Sequence, residues 1–143
     1  RHRLSPQEEE AKGITYASLD ELLRTSDVVS LHTPYTPETH HLIGERELAL
    51  MPAHAILINT ARGAVVDEEA LLRALQRGSI AAAGLDVFEH NDCPLAELSA
   101  LPNIVMTPHV GTQTEDARLK MNHEMLENVA RFLAGRTDIS RVV

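Results

Sequence analysis

Four short apolar runs recur along the chain: DVVSLH (27–32), AILINT (55–60), AAAGLDV (81–87) and NIVMTP (103–108). They are partly β-branched and do not strictly alternate, which predicts strands buried on both faces, as in a parallel sheet covered by helices. ITYA (14–17) predicts a fifth, weaker strand. Helical patterns separate most of these runs. Ser18 and Glu21 have capping-box spacing at the start of SLDELLRTS. GERELALM carries Leu48 and Met51 on one side and stops at Pro52. In VDEEALLRALQRG, Asp67 is the N-cap, Val66 and Leu71 form a hydrophobic staple, and Gly78 is the stop. A last helix is expected from Gln113 to Ala134, with a Thr112/Glu115 box and Gly135 as its end. Its apolar stripe is Ala117, Met121, Met125, Val129, Phe132 and Leu133. LSALPN predicts a short helical turn before the fourth strand. Strands alternating with helices imply right-handed crossovers and an α/β doubly wound parallel sheet.

Composition narrows the class. The 143 residues suffice for one core, and 43% apolar with 24% charged residues describes a globular chain. A net charge of −8 argues against nucleic-acid and anionic-membrane partners. No apolar run approaches the roughly 18 residues a membrane span needs. Cys93 is the single cysteine, so no intramolecular disulfide forms, and a reducing, cytoplasmic location is expected. Glu8, Glu9 and Glu10 read as a solvated helix start. The opening RHRLSPQEEE has the character of a loop inside a domain, so a fragment is expected.

In open α/β sheets, ligands bind beyond the carboxyl ends of the strands. Here those ends carry His32-Thr33-Pro34, then Asn59-Thr60-Ala61-Arg62-Gly63, then Asp86, then Pro108-His109 with Gly111 beyond. An arginine, an aspartate and a histidine therefore gather on one rim, although 24 and 23 residues separate them in sequence. Each also has a plainer reading: a solvated loop cation, a turn cap, a packed imidazole. Their convergence favours a site. A guanidinium grips a carboxylate in two places and polarises a neighbouring carbonyl. A histidine exchanges a proton near neutral pH. Together they suggest hydride transfer between a nicotinamide and a 2-hydroxy or 2-keto acid.

SDVVSLHTPYTPETHHLIGERELALM, AILINTARGAVVDEEALLRALQRGSIAAAGLDVFE and LPNIVMTPHVGTQTEDAR closely resemble the D-isomer-specific 2-hydroxyacid dehydrogenases. Within that family the resemblance is greatest to the glyoxylate/hydroxypyruvate reductases. It covers nearly the whole chain. It implies a Rossmann-like sheet, with residues 1–143 forming the C-terminal portion of the NAD(P)-binding domain, its first strands and Gly-rich loop missing. The implied catalytic residues are Arg62, binding the substrate carboxylate and carbonyl, and His109, the acid/base. Thr33, Pro34, Thr60, Ala61, Asp86, Gly111 and Thr112, together with Arg62 and His109, would lie around the cofactor. Arg1 and Arg3 match the loop that receives the 2′-phosphate of NADP, so NAD(P) is expected, with NADP slightly favoured. The longer protein would be a homodimer acting on a small 2-keto or 2-hydroxy acid.

Two departures stand out. The seven glycines contain no G-x-G, so the pyrophosphate cradle must lie elsewhere. DVVSLH would then be an exposed apolar edge, and residues 1–143 alone are expected to be poorly folded and inactive. Where the family places a glutamate to partner the histidine, this chain has Asn91, with Asp92 next. Either Asp92 substitutes, or Asn91 holds an imidazole that loses its proton at lower pH. The alternative function is a non-catalytic dinucleotide-sensing corepressor of the same fold; retention of Arg62 and His109 favours the enzyme. His40 and His41 raise the thought of a metal, but adjacent residues do not aim two rings at one ion, and no metal site is expected. His2, His54, His90 and His123 are expected to face solvent.

Overall fold

Four parallel strands, β1 (Val28–Leu31), β2 (Ile56–Asn59), β3 (Ala82–Leu85) and β4 (Ile104–Met106), lie side by side in chain order. The computed structural model describes residues 4–89 and 96–139. Val29 stands beside Leu57, Leu57 beside Ala83 and Ala83 beside Ile104, so one row of side chains crosses the whole sheet. Helices α1 (Pro6–Lys12) and α2 (Leu19–Thr25) precede β1. The crossovers carry α3 (Glu45–Leu50), then a 3-10 turn (Gly63–Val65) with α4 (Glu68–Arg77), then α5 (Ala96–Ser99). Helix α6 (Glu115–Leu133) follows β4. This is the parallel α/β, Rossmann-like order expected from the strand and helix signals.

Local chemistry sets most of the helix ends. Ser18 accepts the Glu21 amide, Asp67 accepts the Ala70 amide at 2.9 Å, and α4 stops at Gly78 with φ 67°. Val66 and Leu71, the expected staple, are both buried. The core lies between the sheet and its crossover helices and includes Leu23, Ile43, Leu48, Leu57, Leu71, Ile80 and Leu98. Each such side chain taken from water stabilises the fold by about 1.5–3 kcal/mol before entropy is counted.

Three expectations are corrected. Burial alternates along β1, β2 and β3: Val29, Leu31, Leu57, Asn59, Ala83 and Leu85 are buried, while Val28 is 56% exposed. The strands are therefore packed on one face rather than two. Right-handed crossovers that all step in one direction put every connecting helix on the same side. A second covered face needs strands that step the other way from β1, and none does among the described residues.

Residues 14–17 form no strand. The Ile14 amide closes α1 on the Glu9 carbonyl at 3.0 Å, and the Tyr16 amide donates to the Glu9 carboxylate at 3.2 Å. The end of α1 thus takes backbone groups that a ladder would need.

Helix α6 is capped by Thr114, which accepts the Ala117 amide at 3.2 Å, and not by Thr112. The Gln113 amide closes a turn on the Val110 carbonyl at 2.8 Å, which keeps Thr112 outside the helix. Along the apolar stripe of α6, Met121, Met125, Val129, Phe132 and Leu133 are at least half exposed, and the helix buries no residue.

Candidate active site

The turn after β2 is shaped by a buried amide. Asn59 is 1% exposed; its Oδ1 accepts the Ala61 amide at 3.0 Å, and its Nδ2 donates to the Arg62 carbonyl at 3.0 Å. This Asx-type turn leaves Arg62 exposed in extended backbone, with Nη1 donating to the Ala61 carbonyl at 2.7 Å. Gly63 is required by close approach: a Cβ there would lie 1.9 Å from the Phe88 carbonyl carbon and oxygen. The turn after β2 therefore rests directly on the backbone that follows β3.

Arg62 forms one wall of a cavity of about 850 Å³, with Thr60 and Ala61 from the same turn and His32, Thr33, Pro34 and Tyr35 from the end of β1. That volume lies within the roughly 300–1,000 Å³ of small-molecule sites. The Thr33 hydroxyl oxygen is buried with no hydrogen-bond partner among the described residues. An unsatisfied buried hydroxyl costs about 1–3 kcal/mol, which a polar ligand would recover. Apolar Pro34 and Ala61, the Thr33 hydroxyl and the cation suit a ring bearing an amide beside a small carboxylate. The donor set thus fits the nicotinamide end of a dinucleotide.

A second cluster forms at the ends of β3 and β4. Asp86, 7% exposed, accepts the Thr107 hydroxyl and the Val110 amide (2.8 Å) on Oδ1 and the Gly111 amide (2.8 Å) on Oδ2. Chiefly the Thr107 hydroxyl holds the carboxyl below the usual aspartate range; burial opposes this, and the two amides and neighbouring His109 add to it. His109 has a left-handed φ of 54°, with its amide on the Thr107 carbonyl at 3.0 Å. The reversal turns two successive amides onto one carboxylate, as in a backbone nest. Exposed His109 is therefore carried on a turn that Asp86 fixes.

The sequence-named residues fall into these two groups. Thr33, Pro34, Thr60, Ala61 and Arg62 line the cavity, and Asp86, His109 and Gly111 form the neighbouring cluster. The Asp86 amide joins the groups by donating to the Asn59 carbonyl at 3.0 Å. Thr112 is exposed in the turn before α6. Arg1, Arg3, Asn91 and Asp92 lie outside the described residues, as do His2 and His90. His54 and His123 are exposed beside Asp27 and Glu127.

Sequence reasoning missed Tyr35 as a cavity wall, and also a set of groups behind Arg62. His41 Nε2 meets Glu89 Oε1 at 2.6 Å, and the Glu89 amide donates to Glu68 Oε1 at 2.6 Å. Glu68, 2% exposed, stands in the first turn of α4, where DEE reads as an ordinary acidic helix start. The His40 and His41 rings stack 3.9 Å apart at 21°.

The family model described as "D-isomer specific 2-hydroxyacid dehydrogenase, NAD binding domain" matches residues 1–111. A glyoxylate reductase from Thermococcus litoralis is 50% identical over 130 residues, 91% of this chain and 39% of the relative. A glyoxylate/hydroxypyruvate reductase B from Escherichia fergusonii is 47% identical, over 95% of this chain and 42% of its own length. The crystal structure of D-lactate dehydrogenase from Aquifex aeolicus complexed with NAD and lactic acid superposes with a TM-score of 0.81 at 40% identity. That superposition covers 92% of this chain and 44% of the other. The chain thus spans about two fifths of the length of the curated relatives it matches.

Proposed function

Because the chain belongs to the D-isomer specific 2-hydroxyacid dehydrogenases, by their NAD binding domain, we propose that it supplies the catalytic rim of an oxidoreductase. The reaction is hydride transfer between NAD(P)H and a small 2-keto or 2-hydroxy acid of the glyoxylate/hydroxypyruvate kind. One observation carries this reading: the Arg62 turn lines a ligand-sized cavity and is bonded through Asn59 to Asp86, which fixes the turn bearing His109.

The residues divide the work by their chemistry. The Arg62 guanidinium holds the acid's carboxylate and draws electron density from the adjacent carbonyl oxygen. His109 gives a proton to that oxygen during reduction and takes it back during oxidation. Thr33, Pro34, Thr60 and Ala61 hold the nicotinamide end of the cofactor from the β1 and β2 side. Asp86, Gly111 and Thr112 serve from the β3 and β4 side, Asp86 keeping acceptor capacity beyond its three bonds. A bound dinucleotide supplies or receives the hydride.

Arg1 and Arg3 would pair with a 2′-phosphate, which favours NADP. Asn91 or Asp92 would partner His109. Residues 1–143 serve as the C-terminal portion of the NAD(P)-binding domain of a cytoplasmic homodimer. The exposed stripe of α6 supports the need for a longer protein.

The test is NADPH consumption by the complete gene product with glyoxylate and with hydroxypyruvate. Turnover of either supports the reading. Dinucleotide binding without turnover of any 2-keto acid would favour a sensing scaffold instead.

A further inference from the structure

His41 joins the segments that leave β1, β2 and β3. Its backbone has a left-handed φ of 50°, and its amide donates to the Ala64 carbonyl at 2.8 Å. The Ile43 amide donates to the Val65 carbonyl at 3.1 Å, and the Asp67 amide to the Ile43 carbonyl at 3.1 Å. Residues 41–43 thus run as a short parallel rung beside 64–67. From that rung the imidazole donates through Nε2 to Glu89 Oε1 at 2.6 Å, and Glu89 in turn is tied through its amide to Glu68.

The Glu68 and Glu89 carboxylates each meet the other residue's backbone amide: Glu68 Oε1 accepts the Glu89 amide at 2.6 Å, and Glu89 Oε2 accepts the Glu68 amide at 3.5 Å. The His41 imidazole closes the set by donating to Glu89 Oε1, and the Glu68 amide stands in the first turn of α4, where a carboxylate is favoured. Apolar side chains would fill this space without polar groups to desolvate. What the polar arrangement adds is a fixed orientation of the Phe88–Glu89 peptide. Gly63 packs on that same peptide so closely that no Cβ fits between them. The Arg62 carbonyl is held on the other side by the Val65 amide at 3.2 Å.

We propose that His41 and Glu89 are positioning residues for Arg62: their bond sets the Phe88–Glu89 peptide, which sets Gly63 and with it the direction of the guanidinium. The proposal rests on the reading of Arg62 as the carboxylate clamp. Neither residue touches the reacting atoms. A guanidinium displaced by a fraction of an ångström still binds, but binds the acid less well.

The test uses the complete gene product with Glu89→Ala, Glu89→Gln, His41→Ala and the double alanine variant. Glu89→Ala removes the acceptor without disturbing the left-handed backbone at His41. Its KM for the keto acid should rise about tenfold, with kcat within about threefold and the KM for NADPH unchanged. Glu89→Gln, which keeps an acceptor oxygen, should stay within about twofold of the unsubstituted KM. The double variant should be no worse than the poorer single one, since both remove one interaction. Amide exchange at Ala64, Val65 and Val66 should quicken in Glu89→Ala and recover in Glu89→Gln. An unchanged KM or unchanged exchange in Glu89→Ala, or a Glu89→Gln variant as impaired as the alanine one, overturns the proposal. If the unsubstituted protein turns over no keto acid, the functional reading fails, and the exchange rates alone decide whether this pair positions the Arg62 turn.

Discussion

Gly111 donates its amide to Asp86 Oδ2 at 2.8 Å, and a Cβ added to Gly111 would stand 2.8 Å from that same oxygen. The carboxylate cannot swing aside cheaply, because Thr107 and Val110 hold its other oxygen. The turn carrying His109 is thus built around an aspartate that has room for a glycine and for nothing larger.

Gly111→Ala should therefore loosen the 107–111 turn. We expect a loss of about 1–3 kcal/mol in unfolding free energy, the range for a buried acceptor that loses a donor. Denaturant titration of the unsubstituted protein and the Gly111→Ala variant reads it directly. A midpoint that does not move would show that the carboxylate yields freely.

Asp86→Asn should act through pH as well as contact. The folded carboxyl lies below its ordinary value of 3.8, so the unfolded chain binds its proton first as pH falls. The stabilisation is then fully present above that ordinary value and is lost as pH falls through the lower, folded one. We expect Asp86→Asn to lose about 2 kcal/mol at neutral pH and to show a flatter dependence of stability on acid. Unfolding curves between neutral pH and pH 3 provide the comparison; parallel losses in both proteins would argue against a lowered Asp86.

Gly63→Ala places a methyl group within 1.9 Å of backbone atoms of Phe88. Backbone cannot turn away as a side chain can, so the loops after β2 and β3 must part. A loss of about 3 kcal/mol or more is expected, at the severe end of overpacking. Thermal melting would reveal it, and a melting temperature equal to that of the unsubstituted protein would contradict so close a contact.

On the proposed pairing of Arg1 and Arg3 with a 2′-phosphate, replacing both by alanine should reduce kcat/KM for NADPH by about tenfold and leave NADH unaffected. Equal effects on both cofactors would remove the basis for an NADP preference.

Much of this arrangement can be read along the chain, and what cannot has physical reasons. The strand ends show because DVVSLH, AILINT and NIVMTP stop at polar or proline residues, and the limits of α4 show because Asp67 and Gly78 act locally. One-sided packing of the sheet does not show. VVSL, ILIN and AAGL carry apolar or small residues at both parities, so the pattern is silent about which parity meets helices. Thr112 and Thr114 compete as caps within two residues, and the turn closed by Gln113 decides between them. Glu68 is hidden within an acidic run whose other members are ordinary, and its burial depends on Glu89, far away in sequence. The apolar stripe of α6 is plain in the sequence, but nothing among the described residues buries it.

The most direct test of the catalytic rim is kcat/KM for glyoxylate in Arg62→Lys, measured in the complete gene product with saturating NADPH. Lysine keeps the charge but not the two-pronged grip, so a fall of about a hundredfold is expected while the affinity for NADPH holds. A variant that reduces glyoxylate as well as the unsubstituted protein would contradict the assignment of Arg62 to the acid.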